Sequence, residues 1–192
     1  MTPRDYALLA QRAYTTLPLI GLEASAARAI TEGNAVAFPG TNNGACWRTD
    51  VEVAITRVEG LGYLHAGFWQ ALCSIVGPLL ALPCVDVTVG HSEGAALALL
   101  HAALLCQIGR PPREVYAFEP PRVSVDGTIA ALLQARGVQL HLYRNGLDIV
   151  PLVPPSLVHT WQHPAPLIAI GKPSLPVPNV ADHSIDRVIA AL

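Results

Sequence analysis

Ser92 stands in a five-residue pattern that can activate a hydroxyl group. Gly90, Ser92 and Gly94 form a G-x-S-x-G sequence between the β-branched run at residues 85–89 and the Ala/Leu-rich run at residues 95–108. Between a strand and a helix, this pattern makes a sharp turn that exposes the serine hydroxyl, and the glycines let neighbouring backbone pass without a Cβ clash. We therefore predict a nucleophilic serine. The alternative is a Gly-Ser turn in which Ser92 only caps the helix.

The backbone after Ser92 can stabilise negative charge. The serine directly precedes the N-terminus of the predicted helix, where free N–H groups and the helix dipole favour an anion. The N–H of Glu93 is therefore a predicted donor to the oxyanion that forms when a nucleophile attacks a carbonyl group. A serine hydroxyl is a poor nucleophile by itself, so the same site also needs an imidazole base and a carboxylate that orients it.

Several segments of the chain resemble one known family in the same order. The segment GHSEGAALA around Ser92 is similar to GHSLGGALA of the class 3 (fungal-type) triacylglycerol lipases, which have the α/β-hydrolase fold. Further resemblances are AFPGTNNGACWRTD (37–50), YLHAGF (63–68), VYAFEPPRVS (115–124) and RNGLDIVPLVPP (144–155). The resemblance covers about residues 6–189 and implies an α/β-hydrolase fold, a mostly parallel central sheet with helices on both faces.

The chain departs from the family pattern at two places. Pro39 replaces the usual arginine, and Glu93 and Ala95 replace the leucine and glycine that follow the serine. A carboxylate beside the nucleophile would repel anionic substrates or hydrogen-bond polar ones. The chain is also short for the family, so we expect a minimal lid, for which residues 42–49 (NNGACWRT) are the candidate.

Asp148 is the predicted acid that orients the base. In α/β-hydrolases the chain order is serine, acid, histidine. Asp148 follows the strand-like run at residues 138–144, which places it at the carboxyl edge of the sheet beside Ser92, and it also matches the family's acid position. Glu119, which ends the preceding strand, is the alternative acid. A turn-forming aspartate before the Pro-rich segment is the structural alternative for Asp148.

His183 is the predicted base among the five histidines that follow Ser92. It lies on a loop before the last predicted helix, where the late histidine of this fold belongs. The adjacent Asp182 is expected to cap that helix rather than to orient His183. The other histidines have structural interpretations: His101 as a hydrogen-bonded core residue, His141 as a strand residue of ambiguous face, and His159 and His163 as surface residues.

The second oxyanion donor belongs to the loop after the first core strand. Thr41 matches the family's position there, so the resemblance implies its backbone N–H and its hydroxyl as donors. A Gly-Thr turn is the structural alternative. His65 also matches a family position, and we interpret it as a structural residue.

Strand-like and helix-like segments alternate along the chain, which indicates parallel βαβ units in one α/β domain over residues 1–192. The predicted strands are residues 34–38, 51–58, 85–89, 114–119 and 138–144. The predicted helices are residues 6–30 with an interruption near Pro18, 67–82, 95–108, 128–136 and 184–192. The Pro-rich stretch before Gly171 is expected to hold one hairpin near residues 163–164.

The composition of the chain restricts its function. Of 192 residues, 52% are hydrophobic and 14% charged, so a chain with this much apolar surface is not disordered. The formal net charge is −2 and Lys and Arg do not cluster, so nucleic acid is not an expected partner. The four cysteines lack metal-ligand spacing, and neither a metal nor an organic cofactor is expected.

The chain is not expected to cross a membrane. Residues 60–85 carry no Asp, Glu, Lys or Arg, but glycines and prolines interrupt them near both ends. The first residues carry charges where a secretory signal has an apolar core. A cytoplasmic location is the default expectation, and export without a leader stays open.

These observations favour a carboxylic ester hydrolase that uses Ser92, His183 and Asp148 and forms an acyl-enzyme. Its expected substrate is a small-molecule or lipid ester, either an acylglycerol or an ester of short or medium chain length. One alternative is a non-catalytic binding or signalling module on the same scaffold, motivated by Pro39 and Glu93. Another is the same triad acting on thioesters, acylated sugars or amides. The sequence leaves the oligomeric state open.

Overall fold

Six helices and nine strands make up the computed structural model, which describes residues 1–25, 27–41, 54–156, 159–175 and 179–192. The helices are α1 (Pro3–Arg12), α2 (Ala66–Cys73), α3 (Val76–Leu80), α4 (Glu93–Gln107), α5 (Thr128–Ala135) and α6 (Ile185–Ala191). The strands are β1 (Ile20–Gly21), β2 (Arg28–Glu32), β3 (Ala35–Phe38), β4 (Ile55–Val58), β5 (Gly62–His65), β6 (Val87–His91), β7 (Glu114–Phe118), β8 (Gln139–Asn145) and β9 (Leu167–Ile170). Short 3₁₀ turns lie at Val150–Leu152 and Ala181–His183.

Seven of the strands form one sheet, in the order β1-β2-β3-β6-β7-β8-β9. The first three pair antiparallel, whereas β3, β6, β7, β8 and β9 are parallel neighbours. Strands β4 and β5 form a separate antiparallel pair. Because parallel strands end on the same side of a sheet, the loops after β3, β6, β7 and β8 meet at one edge, which we call the carboxyl edge. The predicted, mostly parallel central sheet is confirmed.

Two hydrophobic cores cover the two faces of the sheet. Successive side chains of a strand point to opposite faces. In β7, Val115 and Ala117 therefore pack into one core, while Tyr116 and Phe118 pack into the other. Helices α2, α3, α4 and α5 cover the first face, and α1 and α6 cover the second. The expectation of helices on both faces is confirmed.

Helix α4 lies against the centre of the sheet and begins directly after Ser92. Twelve of its fifteen residues are buried, because it packs on β3, β6 and β7 on one side and on α2 and α5 on the other. A helix that is apolar on every side is typical of such a central position. The residue at its N-terminus is consequently held by a helix that is buried in the core.

The predicted elements agree with the structure over the βα units. The strands predicted at residues 85–89, 114–119 and 138–144 correspond to β6, β7 and β8, and the last three predicted helices correspond to α4, α5 and α6. Each boundary differs by no more than about two residues, which is the usual uncertainty of helix and strand ends.

Two predicted elements are wrong. The helix predicted at residues 6–30 ends at Arg12, and the chain beyond it forms the edge strand β1 and its neighbour β2. The Ala- and Leu-rich composition of that segment does not distinguish a helix from a buried strand, and the helix ends before the interruption expected near Pro18. Among the described residues, the hairpin expected near residues 163–164 is also absent, and β9 pairs parallel to β8 instead.

The uncharged stretch at residues 60–85 folds into β5, α2 and α3. Within the parts of the chain that the structure describes, no helix has the length and the apolar character needed to cross a membrane. The lid candidate at residues 42–49 and residues 51–53 of a predicted strand lie outside the described residues.

Candidate active site

Ser92 occupies a strained turn between β6 and α4. Its backbone has φ 59° and ψ −127°, a conformation that L-residues rarely adopt. A Cβ at Gly90 would overlap the backbone of Gly94, and a Cβ at Gly94 would overlap the carbonyl oxygens of Phe38 and Pro39. The two glycines are therefore required where the turn crosses neighbouring backbone. This is the geometry that the G-x-S-x-G pattern predicts.

A chain of two hydrogen bonds links Ser92, His183 and Asp148. The Ser92 Oγ lies 2.8 Å from Nε2 of His183, and Nδ1 of the same ring lies 2.6 Å from Oδ2 of Asp148. With a neutral imidazole, the serine hydroxyl donates to Nε2 and the Nδ1–H donates to the carboxylate. The three residues singled out from the sequence as nucleophile, base and acid are thus brought together.

Asp148 is fully buried at the carboxyl edge, where it follows β8. Besides its bond with His183, it accepts a hydrogen bond through Oδ1 from the N–H of Val150 at 3.1 Å. Burial raises the pKa of this carboxyl group, but its side-chain hydrogen bonds with His183 and Glu119 outweigh burial and hold the pKa below its usual value. Asp148 is therefore the ionised partner of the imidazole.

Glu119 lies behind Asp148 rather than in its place. It is fully buried, and a side-chain hydrogen bond joins it to Asp148. Burial, the hydrogen bond to Asp148 and the charge of that residue together raise its pKa to about 11. Of the two acids that the sequence leaves open, Asp148 is the one that contacts the His183 ring.

His91 anchors the loop that carries His183. Its Nε2 lies 2.8 Å from the backbone carbonyl oxygen of His183, so this nitrogen carries the proton and donates it. Its Nδ1 lies 2.6 Å from the hydroxyl of Tyr14, which donates to it. Burial lowers the pKa of His91 to about 3, and the charge of His183 contributes in the same direction, so the ring stays neutral.

Tyr14 connects three segments of the site. Its hydroxyl donates to His91 and accepts a hydrogen bond from the backbone N–H of Gly40, and burial raises its pKa to about 12. A Cβ at Gly40 would meet the Tyr14 hydroxyl and would approach Ser92 Cβ to 2.8 Å. The loop after β3 therefore passes directly beside the serine, where Thr41 follows.

Thr41 and Glu93 meet beside the nucleophile. The side chain of Glu93 accepts a hydrogen bond from Thr41, and burial of this carboxyl group raises its pKa. Glu93 is also the first residue of α4, so its backbone N–H has no acceptor within the helix. Both residues predicted as oxyanion donors lie near Ser92, on the segments that follow β6 and β3.

Asp182 binds the loops of the carboxyl edge together and does not cap α6. Its buried carboxylate accepts hydrogen bonds from the N–H groups of Leu147 and Ser174 and from the Asn179 side chain, at 2.9–3.1 Å. Burial raises its pKa, but the hydrogen bonds from Ser174, Asn179 and Leu147 hold it well below the usual value. The predicted helix cap is wrong, because the carboxylate turns back toward the loop after β8.

The remaining histidines take structural positions. His65 is the N-cap of α2, where Nδ1 accepts from the N–H of Phe68, in agreement with its predicted structural role. His101 is buried in α4 against the edge of Phe38, but neither ring nitrogen has a hydrogen-bond partner among the described residues, contrary to expectation. His141 contacts Glu114, and His159 is exposed. His163 is half-buried and donates to a backbone carbonyl rather than lying on the surface.

Three residues that shape the site were not predicted from the sequence to do so: Tyr14, His91 and the loop-binding Asp182. Tyr14 and His91 are 77 residues apart in the chain, and no spacing rule relates them. His91 lies inside the G-x-S-x-G pattern, so its position was a usable signal. Asp182 is adjacent to the predicted base, but its partners are loops whose paths the sequence does not define.

One group of side chains is close enough to hold a metal ion within the described residues. An oxygen of Glu119, an oxygen of Asp148 and a ring nitrogen of His183 lie within 4.8 Å of one another. The same groups are engaged in the hydrogen-bond chain that ends at Ser92.

The parallel sheet and the serine turn at its carboxyl edge define an α/β-hydrolase fold.

The chain belongs to the family described as "Lipase (class 3)", which matches residues 35–158. This confirms the resemblance found in the sequence motifs, and the family consists of serine ester hydrolases. A comparison with curated proteins gives no match.

Solved structures of fungal lipases share the fold. Lipase II from Rhizopus niveus is 24% identical, with 78% of this chain and 68% of that chain covered and a TM-score of 0.62. The triacylglyceride lipase of Rhizomucor miehei is 18% identical, with 94% and 91% covered and a TM-score of 0.72. A triacylglycerol lipase whose catalytic centre is formed by a serine protease triad is 19% identical, with 78% and 69% covered and a TM-score of 0.59.

Proposed function

We propose that Ser92, His183 and Asp148 hydrolyse carboxylic esters through an acyl-enzyme. The observation that carries this assignment is the continuous hydrogen-bond chain from the Ser92 hydroxyl through the His183 ring to the buried Asp148 carboxylate. A nucleophile, a base in contact with it and an acid that orients the base are the components that acyl transfer needs.

In the first half of the reaction, Ser92 Oγ attacks the ester carbonyl carbon while its proton moves to Nε2 of His183. The imidazolium that forms keeps its Nδ1–H on Asp148, whose negative charge stabilises it. The carbonyl oxygen becomes an oxyanion, for which we assign the backbone N–H groups of Glu93 and Thr41 as donors. His183 then gives its proton to the leaving alcohol, and the tetrahedral intermediate collapses to the acyl-enzyme.

In the second half, water replaces the alcohol. His183 Nε2 takes a proton from the water as its oxygen attacks the acyl carbon, and the same donors bind the second oxyanion. The proton returns to Ser92 Oγ as the acid leaves. Because His183 is held by Asp148 through its ring and by His91 through its backbone, the imidazole faces Ser92 in both halves.

The substrates that we propose are acylglycerols or esters of short and medium chain length. Four apolar side chains remain exposed on the segments that flank Asp148 and His183 at the carboxyl edge: Ile149, Leu152, Leu175 and Val180. Apolar surface beside a nucleophile favours an acyl chain over a polar acid. Membership of a lipase family supports the same substrate class.

Labelling with a small fluorophosphonate tests the nucleophile before any substrate is chosen. We expect one covalent adduct by intact mass, no adduct in Ser92→Ala, and slowed labelling in His183→Ala. His159→Ala is the matched control, since that ring is exposed and lies outside the hydrogen-bond chain. Failure of the folded wild-type protein to react would contradict the proposed function.

A series of nitrophenyl esters of increasing acyl length tests the substrate class. We expect kcat/KM to be highest at short or medium length, with a smooth dependence on substrate concentration. A sharp rise in activity where the substrate aggregates would contradict the minimal-lid expectation and would indicate interfacial activation instead.

A further inference from the structure

Two carboxyl groups lie side by side behind the His183 ring. Glu119 follows β7 and Asp148 follows β8, and because these strands are parallel neighbours the two side chains meet at the carboxyl edge. Both residues are fully buried. Two ionised carboxylates in contact without solvent would repel each other strongly, so the pair requires a shared proton.

The surroundings of Glu119 show which of its oxygens holds that proton. Oε1 accepts a hydrogen bond from the backbone N–H of Asn145. Oε2 is buried and has no N–H or O–H donor within the described part of the chain. An oxygen of Glu119 and an oxygen of Asp148 lie within 4.8 Å of each other, but two ionised carboxylates cannot share a hydrogen bond because neither has a donor. A proton on Oε2 would supply that donor and would give the buried Oε2 a partner.

The charges that face Glu119 agree with a neutral acid. Asp148 and the His183 ring lie close to Glu119, and the charge of Arg144 in β8 also acts on it. Arg144 is directed to the backbone of the Asp148 loop, since its Nε donates to the Asp148 carbonyl oxygen at 3.0 Å. Glu119 therefore has no direct ion-pair partner among the described residues.

We propose that Glu119 is a protonated carboxylic acid whose Oε2–H donates a hydrogen bond to Asp148, and that it is a positioning residue for the Asp148–His183 pair. This inference deepens the proposed function and rests on it. The Glu119 backbone has φ 52°, so the fold holds a bulky side chain in left-handed geometry at this point. The raised pKa of Glu119 supports the assignment.

The bond from Glu119 has two consequences for the reaction. It occupies an Asp148 lone pair, so that with Val150 N–H and His183 Nδ1–H the carboxylate is held from three directions. It also keeps the buried acid pair at one negative charge, which matches the single positive charge of the imidazolium. Without this donor, Asp148 would be held from two directions only and would be more basic.

Two substitutions by side chains close to glutamate in size test whether Glu119 acts as a hydrogen-bond donor to Asp148. Glu119→Gln keeps the hydrogen-bond pattern of a protonated acid, because its carbonyl accepts from Asn145 and its amide donates to Asp148. We expect this variant to retain kcat within about threefold of wild type and to leave the acidic limb of the kcat/KM profile in place. Glu119→Met removes the donor, and we expect kcat to fall about 10- to 100-fold with little change in KM. The acidic limb should move to higher pH in this variant.

An ionised Glu119 would give the opposite pattern. Neutralising a second carboxylate near the base would move the acidic limb of Glu119→Gln to lower pH by about one unit. That outcome would overturn the proposal. Because both Glu119 variants keep a Cβ at the strained position, the backbone geometry of residue 119 does not differ between them.

Difference infrared spectroscopy tests the proton without any substrate. At neutral pH, wild-type protein minus Glu119→Gln should show the C=O stretch of a buried protonated carboxylic acid. Absence of that band would overturn the proposal even if hydrolysis is confirmed. If fluorophosphonate labelling fails but the band is present, the proposed function is wrong and the acid pair stands. Thermal unfolding of each variant establishes that it is folded.

Discussion

At the scale of single residues, His183 is fixed by contacts to its ring and to its backbone. Ser92 and Asp148 hold the two ring nitrogens, and His91 donates to the backbone carbonyl. The ring contacts take part in the reaction, whereas the backbone contact holds the loop that carries His183 in place. Tyr14 links His91 to the loop after β3, because its hydroxyl also accepts a hydrogen bond from the backbone N–H of Gly40.

Removing the Tyr14 hydroxyl should therefore weaken catalysis without removing any reacting group. In Tyr14→Phe, His91 Nδ1 and the Gly40 N–H lose their shared partner, and the loop carrying Thr41 is no longer held beside Ser92. We expect kcat to fall about 3- to 30-fold and KM to change little, with a loss of stability of about 1–3 kcal/mol. Steady-state kinetics and denaturant unfolding measure the two effects.

Tyr63→Phe is the matched control, because the Tyr63 side chain is largely exposed on the small β4–β5 sheet. That variant should resemble wild type in both measurements. An unchanged kcat in Tyr14→Phe would show that the Tyr14–His91 contact does not position the site.

At the scale of elements, the contact between α4 and β3 sets the distance between the nucleophile and the oxyanion loop. Gly94 in the first turn of α4 packs on the carbonyl groups of Phe38 and Pro39, where β3 ends. Because both elements lie in the main core, their spacing is defined by close packing rather than by loop flexibility.

A methyl group at this contact should separate the two elements. In Gly94→Ala the new Cβ would lie closer than 3 Å to two carbonyl oxygens, which have no room to move. We expect destabilisation of about 1–3 kcal/mol and at least about a tenfold loss of kcat, because small displacements at a reacting centre are costly. Thermal unfolding and ester hydrolysis measure the result.

Gly127→Ala provides the comparison for this substitution. Its φ is −80° and a Cβ there would have no neighbour within 4 Å, so stability and kcat should stay near those of wild type. Equal behaviour of the two alanine variants would show that the α4–β3 contact tolerates expansion.

The elements themselves were predictable to different degrees. Strands β6, β7 and β8 and helix α4 follow from β-branched runs, an apolar helical run and the turn residues between them, because these signals are local. Strands β1 and β2 were missed because both are short and lie in an Ala- and Leu-rich segment, and because their pairing depends on residues elsewhere in the chain. The G-x-S-x-G pattern, the chain order and the family resemblance together predicted Ser92, Asp148 and His183, whereas the contacts of Tyr14 and Asp182 arise only from the tertiary fold.

At the scale of the whole molecule, the carboxyl edge concentrates buried charge. Asp148, Glu119 and Asp182 are all fully or almost fully buried there, and each carboxyl group is stabilised in a different way. Backbone and side-chain donors stabilise the charge of Asp182, and His183 stabilises the charge of Asp148, whereas Glu119 is neutral because it holds a proton. The stability of the fold is consequently linked to pH through this edge.

Glu119 should make the protein less stable as the pH rises. Its pKa is raised from 4.5 to about 11, so the folded state keeps a proton that the unfolded state releases above pH 4.5. Its contribution to stability is therefore fully present below pH 4.5 and is lost progressively as the pH rises toward 11. Glu119→Gln keeps the hydrogen bonds but releases no proton on unfolding. Its stability relative to wild type should increase with pH, with a slope of at most about 1.4 kcal/mol per pH unit.

Urea unfolding of both proteins between pH 5 and 9 measures this slope as a difference, so that titration of all other groups cancels. Glu59→Gln is the control, because Glu59 is exposed in the turn directly after β4. We expect its stability difference from wild type to stay constant over that range. If the Glu119→Gln difference is equally constant, Glu119 ionises alike in the folded and unfolded states. The carboxyl edge would then hold two negative charges behind His183, and the charge balance assigned to the acid pair would be wrong.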